Sequence, residues 1–191
     1  MSGDLVEVFK KSASAASAEV KESRGLGELS AQIVCLARDH GLSSAVVGGG
    51  GLIERKVEEA LREAGVEVLP VDKCSAAGAA LGICCYEMGV ADTGTLVADA
   101  STYDARLVSS LPPVHVAILN SDDLVPDMAT ALSRMYVRPR PPAYVAMVTG
   151  PSRTADIERE LTLGVHGPGR LVIFLLLTRD GDGGACDGLQ P

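Results

Sequence analysis

The chain has 191 residues, 47% of them apolar and 3% aromatic, with no Trp. This supports one domain with a core of Val, Leu, Ile and Ala, and excludes a chain that is disordered throughout. The formal net charge of -8, with no polybasic block, excludes a nonspecific nucleic-acid binder, which needs a cationic surface to displace counterions.

Residues 4–22, rich in Ser and Ala, read as a weak helix, the main part of an N-terminal arm at 1–25. The apolar spacing of Leu29 to His40 predicts a helix that stops at Gly41. "SAVVGGGG" reads as a strand entering a glycine loop. Leu52, Ile53, Val57, Ala60, Leu61 and Ala64 share one face of a following helix. "VEVLPV" is the next strand, so this stretch has the form of a βαβ unit. A short helix beyond Ala76 leads to the strand "LGICCY". After the turn "EMGVADTG", "TLVADA" continues extended, and "PPVHVAILN" is a further strand. "DDLVPDMATALSRMY" is expected to be a helix begun near Ser121, with Pro126 in its first turns. "RPRPP" is a stiff connector and "AYVAMVTG" a strand. "SRTADIEREL" is expected to be a helix, and "RLVIFLLL" is the last strand. The glycine-rich acidic tail, 179–191, is expected to fray.

Strands and helices alternate, which predicts an α/β fold of three layers around a mostly parallel sheet. The N-terminus lacks the apolar core of a signal peptide, and the longest aliphatic run, Leu171 to Leu177, is too short to span a bilayer. The expected location is the cytoplasm, with no membrane association. Five cysteines, none in a C-x-x-C pair, and histidines without ligand spacing predict no metal centre in this chain. Neighbouring residues of a strand face opposite ways, so Cys84 and Cys85 are expected on opposite faces.

Three segments carry candidate chemistry. The Gly48–Gly51 loop is either a flexible connection or a phosphate cradle, with Asp72 where a ribose-binding acid would sit. The third glycine of a dinucleotide fingerprint is absent, and so is a Gly-Lys-Ser/Thr run. In the second segment, Asp92, Thr93, Gly94 and Thr95 form a turn at a strand end, with Arg106 and Ser109 shortly after. This is either a tight turn with a surface arginine, or a rim where Arg106 clamps a carboxylate and the hydroxyls add contacts. The third segment runs from Gly150 to Gly167. It reads either as a well-capped helix, or as a helix start whose amides, with Ser152, Arg153 and Thr154, receive an anion. Asp156 lies in its first turns, and His166 stands between Gly164 and Gly167-Pro168. That histidine packs the loop or accepts a proton. His115 alternates with aliphatics and reads as a satisfied strand histidine.

The motifs "VADTGTL", "RLVSSLPPVHVAIL", "TGPSRTADIERELTLGVHGP" and "RLVIFLL" resemble the lactate utilisation protein C family, the LUD domain, in order from about residue 80 to 177. The resemblance places the family domain at 26–178. It implies a Rossmann-like α/β/α fold like that of the sugar-phosphate isomerases and CoA transferases. It also implies a part in oxidising L-lactate to pyruvate with two partner subunits that carry the iron–sulfur clusters, and no cofactor in this chain. The expected ligand is a small carboxylate or a phosphate-like group, held in a cleft at the C-terminal edge of the sheet. His166, Asp156 and Asp92 are the candidate catalytic groups, and Thr93, Gly94, Thr95, Arg106, Ser109, Gly150, Ser152, Arg153, Thr154 and Gly167 the candidate binding residues. The other readings are a stand-alone isomerase or acyl/CoA transferase acting on a phosphorylated or CoA-linked substrate, and a non-catalytic assembly subunit. A homo-oligomer stays open.

Overall fold

The computed structural model describes residues 2–156, 160–163 and 167–177. The chain opens with α1 (Ser2–Ala15), β1 (Glu19–Ser23), α2 (Leu26–Asp39), β2 (Ser44–Val47), α3 (Leu52–Glu63), β3 (Glu67–Leu69), α4 (Lys73–Gly78) and β4 (Leu81–Tyr86). It continues through β5 (Met88–Val90), β6 (Thr95–Asp99), α5 (Tyr103–Ser110), β7 (Val114–Asn120), a 3-10 turn at Ser121–Asp123, β8 (Leu124–Val125) and α6 (Met128–Tyr136). β9 (Val145–Val148), β10 (Arg153–Asp156), β11 (Glu160–Leu163) and β12 (Arg170–Leu176) are the last elements among the described residues.

Six strands form the central sheet in the order β1-β12-β7-β4-β2-β3, and every ladder in it is parallel. The fold is α/β, as the alternation of elements predicts. Both faces of the sheet are covered, which is why its strands read as unbroken aliphatic runs. In β12, Val172, Phe174 and Leu176 join the layer that α2 and α3 close with Leu29, Ile33, Val57 and Leu61. Leu171, Ile173 and Leu175 point to the other layer, which holds Phe9 and Ala13 of α1 together with Leu107 and Val108 of α5. β7 alternates in the same way, with Val116 and Ile118 on one side and Ala117 and Leu119 on the other. Among the described residues, no helix is long and apolar enough to cross a membrane.

β6 and β9, both read as extended from the sequence, lie in a second sheet, β8-β5-β6-β9, whose strands β5 and β8 and whose separation from the main sheet were not expected. Its strands are two to five residues long, too short for a clear period. α5 was likewise not expected; Thr102 caps it by accepting from the Ala105 N–H.

Three expected helices are corrected. The helix read over 4–22 ends at Ala15, and Glu19–Ser23 instead pairs with β12 at the edge of the main sheet. The helix expected from Ser121 begins only at Met128. Pro126 steers Val125 to extended backbone, where β8 pairs with β5, and Asp127 then caps α6 by accepting from the Thr130 N–H at 2.7 Å. The helix expected over "SRTADIEREL" is a hairpin, in which Arg153 pairs with Leu163 and Asp156 with Glu160. Helix-start chemistry at Ser152 is therefore absent.

α5 lies close to β4 where Gly82 leaves room for it: a Cβ there would overlap the Val108 carbonyl oxygen and meet Pro112. Gly82→Ala is expected to destabilise the fold by about 1–3 kcal/mol through overpacking. Gly27→Ala, at an exposed position in the first turn of α2 with nothing within 4 Å of the new methyl, is expected to be neutral or to stabilise by up to about 1 kcal/mol. Urea unfolding of the two variants against the parent checks the pair.

Candidate functional site

Four segments enclose a pocket of about 250 Å³. The end of α5 brings Ser109 and Ser110, and the chain leaving β9 brings Met147 to Ser152. Gly167 and Pro168 form a third side, and His115 and Leu171 make the floor. The Ser152 N–H donates to the Pro168 carbonyl at 2.8 Å, and the Gly169 N–H to that of Pro113 at 3.0 Å, so the walls are tied at their base. Gly167 must stay small: a Cβ would stand 3.1 Å from the Ser152 Cβ. The serine hydroxyls donate back into α5, Ser109 to Ala105 at 2.9 Å and Ser110 to Arg106 at 2.5 Å. Their oxygen lone pairs remain available to a ligand, and each proton can be re-aimed by rotation.

The pocket lies at the N-terminal edge of the sheet, not the C-terminal edge. His115 and Leu171 are the second residues of β7 and β12. Ser109 closely precedes β7 and Gly167 precedes β12, so both must stand where those strands begin.

Beneath the pocket, His115 is fully enclosed. A carbonyl can only accept, so the Gly82 oxygen, 3.1 Å from Nδ1, fixes the proton on that nitrogen. Nε2 then accepts from the Tyr86 hydroxyl at 3.0 Å, with the two rings edge to face. Burial lowers the imidazole pKa to about 4. Burial also raises the Tyr86 hydroxyl well above its ordinary value, and raises the Cys84 thiol to about 12 with help from the Glu54 charge. All three groups are neutral near pH 7, a satisfied polar pair and thiol inside an aliphatic layer. Cys84 and Cys85 do face opposite layers.

Of the residues expected to form one site, Ser109, Gly150, Ser152 and Gly167 meet at this pocket. Asp92 and Thr93 are exposed on a turn beside it, and Gly94 supplies the turn's positive φ of 66°. Thr95 is buried and shares a 2.7 Å hydroxyl contact with Thr149, a pocket residue. Arg106 does not face the pocket. Its Nη1 donates to the Ala100 and Ser101 carbonyls at 2.5 and 3.2 Å, with the guanidinium between the Tyr103 and Tyr144 rings. Arg153 donates to the Ala16 carbonyl at 3.0 Å and to the Ser17 hydroxyl. Thr154 and Asp156 belong to β10, and His166 lies outside the described residues. Sequence reading passed over Ser110 and Thr149, both directly beside residues it did select.

The Gly48–Gly51 loop is not an open phosphate cradle. The buried carboxylate of Glu54 fills it, with Oε1 and Oε2 at 2.7 and 2.5 Å from where Cβ atoms on Gly49 and Gly51 would lie. The loop needs glycine to enclose its own acid, and that charge would repel a phosphate. Asp72 is a helix cap. It accepts from the Cys74 and Ser75 N–H groups at 2.8 and 3.0 Å and from the Ser75 hydroxyl, and the Ser75 bonds hold its carboxyl below the ordinary range. Among the described residues, no group of three or more His, Cys, Asp or Glu could hold a metal ion.

A family model for the LUD domain matches residues 6–176. The chain belongs to the LUD domain family. Among curated relatives of this LUD domain protein, the lactate utilization protein C of Bacillus velezensis is 36% identical over 103 residues, covering 52% of this chain and 43% of that protein. The protein of the same name from Bacillus subtilis gives the same identity and coverage. An uncharacterised protein of Neisseria meningitidis is 29% identical over 160 residues, covering 83% of this chain and 65% of its own length. The chain thus spans less than two thirds of the length of these relatives. Among solved structures, a DUF162 family protein from Deinococcus radiodurans superposes with a TM-score of 0.69 at 16% identity, covering 94% of this chain and 99% of that one. This likeness confirms the fold.

The enclosed His115 should leave a pH signature. Its folded pKa of about 4 lies below the unfolded value of 6.5. Above pH 6.5 the ring is neutral in both states, and its contribution to stability is fully present. As pH falls from 6.5 towards 4, only the unfolded chain takes up the proton, and about 3 kcal/mol is lost. His115→Gln is expected to flatten the stability curve by about that amount across this window. Denaturant titrations at several pH values measure it, and parallel curves for variant and parent would contradict the burial of a neutral ring.

Proposed function

We propose that this LUD domain protein serves the oxidation of L-lactate to pyruvate as a substrate-binding subunit, working with two partner subunits that carry iron–sulfur clusters. The observation that carries this reading is the likeness to several proteins named lactate utilization protein C. The pocket adds a suitable place, since its volume fits a small 2-hydroxy acid. Serine hydroxyls match both halves of such a ligand, accepting from its alcohol and, once re-aimed, donating to its carboxylate.

Oxidation of lactate releases two electrons and two protons. In this reading the electrons pass to the clusters of the partner subunits. Among the described residues lining the pocket, the one titratable group is His115. Its free nitrogen is occupied by Tyr86 and its pKa is far below neutrality, so it holds the floor rather than taking the alcohol proton. The sequence candidates for that proton are His166, directly before Gly167, and Asp156. This enclosure favours a binding role for the described part of the site.

The test is a reconstituted complex of this chain with its partner subunits, assayed for lactate-dependent dye reduction. Gly167→Val places its side chain against Ser152 and is expected to reduce turnover about tenfold or more, with a smaller effect on stability. His166→Ala is expected to lower kcat more than it raises KM. Full turnover by the partner subunits without this chain, or an unaffected Gly167→Val complex, would remove the proposal.

A further inference from the structure

The two motif segments beside the pocket meet each other at the last turn of α1. Gly94 and Gly150 both have positive φ, 66° and 77°. Neither leaves room for a side chain: a Cβ on Gly94 would overlap the Ala13 backbone nitrogen, and one on Gly150 the Ala16 carbonyl oxygen. Ser12 donates its hydroxyl proton to the Asp92 carbonyl at 3.1 Å. Arg153, the residue after the pocket wall, donates to the Ala16 carbonyl at 3.0 Å and to the Ser17 hydroxyl.

The helix end itself has an unusual residue. The Ala18 N–H returns to the Ala13 carbonyl at 3.0 Å, and the Ser17 N–H to that of Ser14 at 2.9 Å. This is a Schellman ending, in which glycine normally supplies the left-handed residue. Here that residue is Ser17, with φ of 69°, the one non-glycine residue with positive φ among the described residues. Serine carries a backbone cost there that glycine would not. What serine offers in return is a hydroxyl for Arg153, whose charge also suits the negative end of the helix.

We infer that Ser17 and Arg153 are positioning residues, and that the end of α1 sets the pocket wall from Thr149 to Ser152. The link is direct in the chain, because Arg153 follows Ser152, whose amide donates to Pro168 across the base of the pocket. The Thr95–Thr149 hydroxyl contact transmits the same constraint from the Gly94 turn. The inference deepens the reading of this pocket as a ligand site, yet the wall's rigidity can be read without any ligand.

The test compares Ser17→Gly, Arg153→Ala and Arg153→Lys with the parent by hydrogen exchange, followed at the Ser152 amide. Ser17→Gly is the decisive variant. It removes the backbone cost, so Tm is expected to hold or rise, while exchange at Ser152 speeds up about tenfold, the scale of one lost charge-assisted bond. Arg153→Ala is expected to do at least as much, and Arg153→Lys to recover part of the protection. Unchanged exchange at Ser152 in both Ser17→Gly and Arg153→Ala would overturn the inference. Lactate titration of the same samples separates the two proposals: faster exchange in a protein whose parent form never binds lactate upholds the positioning role and removes only the lactate reading.

Discussion

The structure depends on one constraint, the need to cover both faces of a parallel sheet. β7 and β12 lie in its interior with aliphatic side chains on either side. α2 and α3 close one face. On the other, α1 and α5 share the task with a small second sheet. That unequal covering creates the pocket. Where α5 ends and β7 begins, and where the chain returns to start β12, short segments cross the sheet edge and leave a hollow between them. With few aromatic side chains available, close approach is achieved at glycines instead, Gly82 under α5 and Gly94 and Gly150 under α1.

The polar groups fall into two classes. Some are consumed by the fold, among them Arg106 on the carbonyls that lead into α5, Asp72 and Asp127 as caps, and His115 and Tyr86 paired within the core. Others keep open valences toward the hollow, namely Ser109, Ser110 and the Thr149–Ser152 wall. A site with enclosed titratable groups and open hydroxyls suits recognition of a small polar molecule more than proton transfer by the described residues. The LUD domain family and the lactate utilization protein C relatives give that recognition its proposed object.

Much of this was legible in the sequence. The parallel sheet followed from aliphatic runs such as Val114–Asn120 and Arg170–Leu176, and His115 was correctly read as a strand residue with its bonds satisfied. What escaped has physical causes. Ser152 and Thr154 followed by Asp156 and Glu158 have the form of a helix start, but the segment pairs as β10 and β11, and tertiary context overrides so weak a local preference. Arg106 and Arg153 looked like ligand clamps because a sequence cannot show which backbone carbonyls lie within reach. The edge of the sheet was misjudged although it could have been read: residues just before a strand stand at its N-terminal end, and Ser109 and Gly167 both have that position. The acid that fills the glycine loop, Glu54, was hidden by its place on an amphipathic helix.

We propose this pocket, at the N-terminal edge of the sheet, as the place where the protein meets its small-molecule ligand. The most direct measurement is an amide chemical-shift titration of the isotopically labelled chain with L-lactate. Saturable shifts concentrated at Ser110, Thr149, Gly150, Ser152 and Gly167 are expected. Shifts that gather instead around Gly48–Gly51 and Glu54, or no saturable shift at all, would contradict it.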